Sequence, residues 1–145
     1  MNRSLARLAP LAVLLLVASG CNGTEETPTE PGPTQLVDTF SGTLALNGAF
    51  SHPFTVTAPG SMLATLIVLK PADETLPPES AVPVGLALGT WNGSICQIVL
   101  ANDVTKQGEV VLANSTAVGD FCVRIYDAAG TLALPQAYQI VVDHF

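Results

Sequence analysis

A two-residue rhythm of apolar side chains constrains this chain more than any other feature. In 121-FCVRIYD-127, Phe121, Val123 and Ile125 fall on one side of an extended backbone; in 138-YQIVVDHF-145, Tyr138, Ile140 and Val142 do the same. Successive side chains of a strand point to opposite faces of its sheet, so such a segment buries one face and solvates the other. Phe54 and Val56 likewise point one way, Thr55 and Thr57 the other. No window after Leu36 repeats at helical spacing, and β-branched residues are frequent, which argues for strands. The pattern predicts strands near 36–46, 50–57, 62–69, 82–90, 94–101, 109–113, 120–126 and 136–143. Asn47-Gly48 is a hairpin cue between the first two. Ala58-Pro59-Gly60-Ser61, Asn92-Gly93 and Ala128-Ala129-Gly130 are further turn signals, and the proline-rich segment 71–83 predicts a loop or a sheet-to-sheet crossover. The expected fold class is all-β: an antiparallel β-sandwich, jelly-roll or Ig-like, of about eight strands over residues 36–145.

Residues 1–20 have a different character. Arg3 and Arg7 precede an apolar run over 8–17, too short for a bilayer-spanning helix, which needs about twenty residues. Small residues follow, as before a signal-peptide cleavage site. The sequence Ala18-Ser19-Gly20-Cys21 resembles the lipobox of bacterial lipoproteins, with Ala18 where Leu is commonest. The resemblance implies that Cys21 is lipidated with diacylglycerol, becomes the first mature residue and is then acylated on its amine. Two or three acyl chains hold a protein at a membrane where one holds it only marginally. The other reading is a secreted protein whose Cys21 is incidental or paired. Residues 21–35, rich in Thr, Glu and Pro, read as a flexible, disordered tether. Asn22, where sorting rules of enterobacterial lipoproteins penalise Asp, favours the outer membrane. The implied localisation is the bacterial cell envelope, with membrane lipid as a partner through acylated Cys21.

Cys96 and Cys122 remain once Cys21 carries lipid. Both fall in predicted strands of a domain expected in an oxidising compartment, and a disulfide between them is favoured over two separate buried thiols. A metal site is not expected, because no histidine or third cysteine keeps ligand spacing with them.

From Cys21 onward Lys70, Lys106 and Arg124 are the basic residues against twelve acidic ones, a net charge of about −9. Such a surface repels phosphate backbones, so no nucleic-acid partner is expected. There is no Gly-x-Ser-x-Gly elbow, and neither His52 nor His144 sits near a recognisable nucleophile; both are expected to be ordinary surface residues. Asp73, Glu74 and Glu79 cluster in the proline-rich segment, where solvation accounts for them. Asp103, Asp120 and Asp127 fall at predicted strand ends or turns, where turn-making competes with calcium ligation. Asn92-Gly93-Ser94 and Asn114-Ser115-Thr116 match glycosylation acceptors formally, with little weight in a bacterial protein. Trp91 and Asn92 are the candidate ligand contacts: an indole beside an Asn-Gly turn either stacks on a sugar ring or packs at the rim of the sandwich.

Several segments together resemble bacterial pre-peptidase C-terminal (PPC-like) domains. These are Phe40-Ser41-Gly42-Thr43-Leu44, Phe54-Thr55-Val56-Thr57-Ala58-Pro59-Gly60, Gly119-Asp120-Phe121-Cys122-Val123-Arg124-Ile125 and the closing Tyr138-Gln139-Ile140-Val141-Val142. Gly89-Thr90-Trp91-Asn92-Gly93 belongs to the same series, and the proline-rich segment departs from the minimal pattern. The resemblance implies a β-sandwich accessory to secreted enzymes, with roles in surface or polysaccharide binding. With only the tether beside it, the domain is expected to act as a stand-alone, non-enzymatic module, without cofactors, that binds a protein or a glycan. A structural or assembly component of the envelope, or an enzyme of unrecognised type, are the alternatives.

Overall fold

The computed structural model describes residues 31–77 and 82–145. The predicted signal segment, Cys21 and most of the predicted tether lie outside the described residues, as does Glu79. The described strands are β1 (Leu36–Leu44), β2 (Ala49–Val56), β3 (Gly60–Pro71), β4 (Val84–Trp91), β5 (Cys96–Thr105), β6 (Val110–Ser115), β7 (Gly119–Tyr126) and β8 (Gln136–His144). All eight predicted strands are present, their ends displaced by a few residues.

They form two four-stranded antiparallel sheets, ordered β1-β8-β3-β6 and β2-β7-β4-β5. The pairs β1–β8, β2–β7, β3–β6 and β4–β5 are those of one long hairpin folded at the β4–β5 turn. Rolling that hairpin brings β3 against β8 and β4 against β7, which completes the sheets. The result is a jelly roll, and this nested order sets the Ig-like alternative aside.

The Asn47-Gly48 turn forms, but not as a hairpin. Asn47 adopts φ 54°, and Gly48 N donates to Ala45 O at 2.8 Å, yet β1 and β2 belong to different sheets. A turn dipeptide specifies local backbone geometry; the partners β8 and β7 decide which sheet each flanking strand joins. Asp127 pins this corner, accepting from Asn47 N at 3.0 Å while its own N donates to Gly48 O at 3.0 Å.

Alternation places the core. In β8, Gln136, Tyr138, Ile140, Val142 and His144 are all buried and the residues between them are not. Val123 and Ile125 of β7 share the core with Phe54 and Val56 of the neighbouring β2, with Phe121 packed at its margin. β3 breaks the rhythm: a bulge between Leu66 and Val68 shifts its phase, so Met62, Ala64 and Leu66 are buried before it and Leu69 and Pro71 after it. The shift leaves Ile67 exposed.

Cys96 and Cys122 are joined by a disulfide, with Cα atoms 5.7 Å apart. The bond links β5 to β7 across the intervening β4. Gly89 of β4, in register with Cys122 and next to Gln97, makes this approach possible, since a Cβ there would collide with the Gln97 carbonyl.

Candidate functional site

The sandwich has two seams where edge strands of its sheets lie side by side, one along β1 and β2 and one along β5 and β6. They differ in what fills them.

Along β1 and β2 the filling is aromatic. Phe40 stacks on His52 with ring centroids 4.9 Å apart. His52 Nε2 and Tyr138 Oη share a hydrogen bond of 2.9 Å. Tyr138 faces Gly42 directly across the β1–β8 pair, and a Cβ on Gly42 would come within 2.6 Å of its hydroxyl. Further along, His144 is buried against Phe54, ring centroids 4.9 Å apart, and its Nε2 lies 3.0 Å from Asp38 Oδ2. The expectation that both histidines are surface residues is therefore corrected. His52 is in phase with Phe54 and Val56, and His144 with Ile140 and Val142, so alternation turns both inward. Burial holds the His52 imidazole below its ordinary pKa and raises that of the Tyr138 phenol.

Along β5 and β6 the seam is aliphatic and incompletely filled. A cavity of about 80 Å³ opens between the strands, walled by Met62, Leu88, Val99, Leu100, Ala113 and Phe121. Its polar lining comes from Asn114 and Ser115, and the Ser115 hydroxyl already bonds the Ala117 carbonyl at 2.7 Å. Along β5, β6 and the turn before β5, Val99 is 75% exposed, Val104 66% and Leu112 53%, with Ile95, Ile98, Leu100 and Val110 also exposed; of these, Val99 and Leu100 line the cavity. A strip of this kind, clustered on two neighbouring strands, differs from the scattered apolar residues of an ordinary surface. The sequence carried one signal of it. In Ile98-Val99-Leu100 consecutive aliphatic residues fall on both faces of β5, and an edge strand cannot bury both of its faces.

The other candidates are placed as follows. Trp91 ends β4, half-buried, opposite Cys96 and outside the cavity lining. Asn92 spends its side chain on the β4–β5 turn, where Oδ1 accepts from Ser94 N at 3.0 Å and Ile95 N at 2.8 Å. Asp120 Oδ1 accepts from the Thr55 hydroxyl at 2.9 Å. Asp103 accepts from the Tyr126 hydroxyl; burial first, then this bond and the carboxylate charge, push the Tyr126 pKa up to about 12 against the opposing Arg124. At Asp127 partial burial works to raise the carboxyl pKa, but backbone N–H donors from Asn47, Leu132, Thr131 and Gly130 outweigh it and hold it low. Asp73 is held low by the Thr75 hydroxyl and N–H, and Glu74 pairs with Lys70 at 3.3 Å. Among the described residues no three His, Cys, Asp or Glu side chains converge.

No protein-family model matches the sequence, and no curated protein is significantly similar to it. Several solved structures are similar to this chain, two of them as follows. One is a periplasmic inhibitor of g-type lysozyme from Aeromonas hydrophila, with a TM-score of 0.50 at 10% identity, covering 79% of this chain and 90% of that one. The other is the Yersinia pseudotuberculosis-derived mitogen, with a TM-score of 0.48 at 15% identity, covering 77% of this chain and 88% of that one. At such identity the likeness is one of architecture.

Proposed function

We propose that this chain is a lipid-anchored protein of the bacterial envelope, sorted to the outer membrane, whose jelly roll docks a partner protein through the β5–β6 seam and catalyses no reaction. The observation that carries the docking is the exposed aliphatic strip around the cavity. Removing such a strip from water favours association, offset by the cost of fixing two molecules together. A protein fits it better than a glycan does, because Trp91 is half-buried and Asn92 is committed to its turn. The carboxylates that chemistry would recruit, Asp103, Asp120 and Asp127, are each bonded within the fold. The architecture also hosts a lysozyme inhibitor, a fold-level analogy only. The anchor rests on the lipobox-like Ala18-Ser19-Gly20-Cys21, and the module's accessory character on the resemblance to PPC-like domains.

The test combines cross-linking in intact cells with two variants. Val99→Lys together with Leu112→Lys should abolish partner recovery while leaving the protein folded and in the membrane fraction. Recovery of the same partner by the double variant would refute the docking assignment. Cys21→Ala should move the protein from the membrane to the soluble fraction and end labelling by alkyne-palmitate; unchanged partitioning would refute the anchor.

A further inference from the structure

We infer that the free edge of β5 takes an extended segment of the partner as an added strand, that one aliphatic side chain of this segment fills the cavity, and that the segment is cationic at its flanks. The inference rests on the docking assignment above and specifies its chemistry.

β5 is the outer strand of its sheet, paired on one side only, with β4. Its outward N–H and C=O groups form a template for another chain. The template is bounded. The pairing with β4 slips at Val99, which bulges between Ile98 and Leu100, and again beyond Asn102, where Asn102 Oδ1 accepts from Val104 N at 3.1 Å and the Thr105 hydroxyl donates to Asn102 O at 2.9 Å. That end of the edge is blunted by its own side chains. At the other end the Asn92 turn closes the backbone groups of Ser94 and Ile95. Residues 97–101 remain open, and they carry the uncharged sequence Gln-Ile-Val-Leu-Ala.

The cavity lies beside this stretch, since Val99 and Leu100 form part of its wall. Its volume of about 80 Å³ exceeds the roughly 10–15 Å³ that one water needs on the same measure, and its wall is mostly aliphatic. An aliphatic side chain is the better occupant.

Charge selects the flanks. From Trp91 to Thr105 the one charged residue is Asp103, and from Val110 to Gly119 there is none before Asp120. Glu109 and Lys106 share the β5–β6 turn, where Lys106 N donates to Glu109 Oε2 at 2.9 Å. The strip is thus neutral in its middle, with Asp103, Lys106 and Glu109 beyond one end and Arg124 in register with Ala101 through Ala87, on a chain with a net charge of −7. A second copy would bring the same negative surface and be repelled; a segment with lysine or arginine on either side of an apolar centre is complementary.

The test uses the whole chain purified from membranes in detergent, panned against a phage-displayed library of random peptides of about a dozen residues. The expected consensus has alternating apolar residues, one central aliphatic and basic flanks. Its synthetic form should slow hydrogen exchange at residues 97–101 by about tenfold or more. N-methylation of alternate amides, or Val99→Lys in the protein, should abolish binding, and exchanging the basic flanks for Glu should weaken it about tenfold at low salt. No enrichment, an acidic or helical consensus, or binding that survives N-methylation overturns strand addition. So does a sedimentation dimer dissolved by Val99→Lys, which would make a second copy the occupant. If the cellular partner is still lost in the Val99→Lys, Leu112→Lys variant while no strand-like peptide binds, docking at the seam stands and strand addition alone fails.

Discussion

Along β1 and β2 the seam between the sheets is filled by Phe40, His52 and Tyr138, each within reach of the next, and by Phe54 against His144. Along β5 and β6 it is lined by Val99, Leu100 and Ala113, which stop short of filling it and leave neighbouring aliphatic groups in water. Both seams arise from the same topology, since a jelly roll has two pairs of edge strands to manage. One pair is closed by large flat rings and polar tips that satisfy one another. The other is left as small and branched aliphatics around a cavity. The difference separates a seam that holds the domain together from one available to a partner.

The comparison breaks most visibly at Tyr138. Tyr138→Ala should cost about 3–5 kcal/mol by urea denaturation, because it empties the closed seam and leaves His52 Nε2 without its partner. A loss below about 1 kcal/mol would mean that the aromatic seam does not secure the fold. Removing the disulfide with Cys96→Ala and Cys122→Ala should cost about 3.5 kcal/mol in the loop-entropy model, read as a lowered Tm. It should also loosen β5, with faster hydrogen exchange at residues 97–101 than along β1.

An intermediate effect depends on pH. Because burial depresses the pKa of folded His52, the unfolded chain binds the proton more readily. Stability from this group is complete above the unfolded value of about 6.5 and falls as pH drops from there toward the folded value. His52→Phe should flatten that part of the stability profile while leaving the more acidic titration of Asp127 and Asp73 in place. An unchanged slope between about pH 6.5 and 5 would show that His52 is not the group responsible. The smallest effect belongs to the open seam. Val99→Lys should change stability by no more than about 0.5 kcal/mol even as it removes docking, and a loss above about 2 kcal/mol would show that the strip is core after all.

Much of the architecture was legible because burial in a sandwich is read out every second residue. β7 and β8 keep that phase without interruption, and even the two histidines were readable by it: His52 stands two residues before Phe54, and His144 two after Val142. Residue type misleads here, since a histidine outside a catalytic grouping reads as solvated. The bulge at Ile67 was not legible, because Leu66-Ile67-Val68-Leu69 is apolar in either phase and only the register against β8 shows which side chain is left outside. The open seam was legible only as the run Ile98-Val99-Leu100. In a central strand the same run would be buried on both faces, as β4 is, so its exposure depends on position in the sheet.

By itself the sequence determined the strands, the inward face of most of them and the turn at Asn47-Gly48, and it favoured a bond between Cys96 and Cys122 that the structure shows. These are properties of side-chain alternation and backbone preference, all local. The tertiary structure decided that Asn47-Gly48 turns between sheets, that His52 and His144 close one seam, and that β5 stands at an edge with a cavity beside it. Those outcomes depend on which strand lies next to which. Pairing partners in this fold are drawn from opposite ends of the chain, as β1 with β8 and β2 with β7, and no local pattern encodes a choice made across that distance.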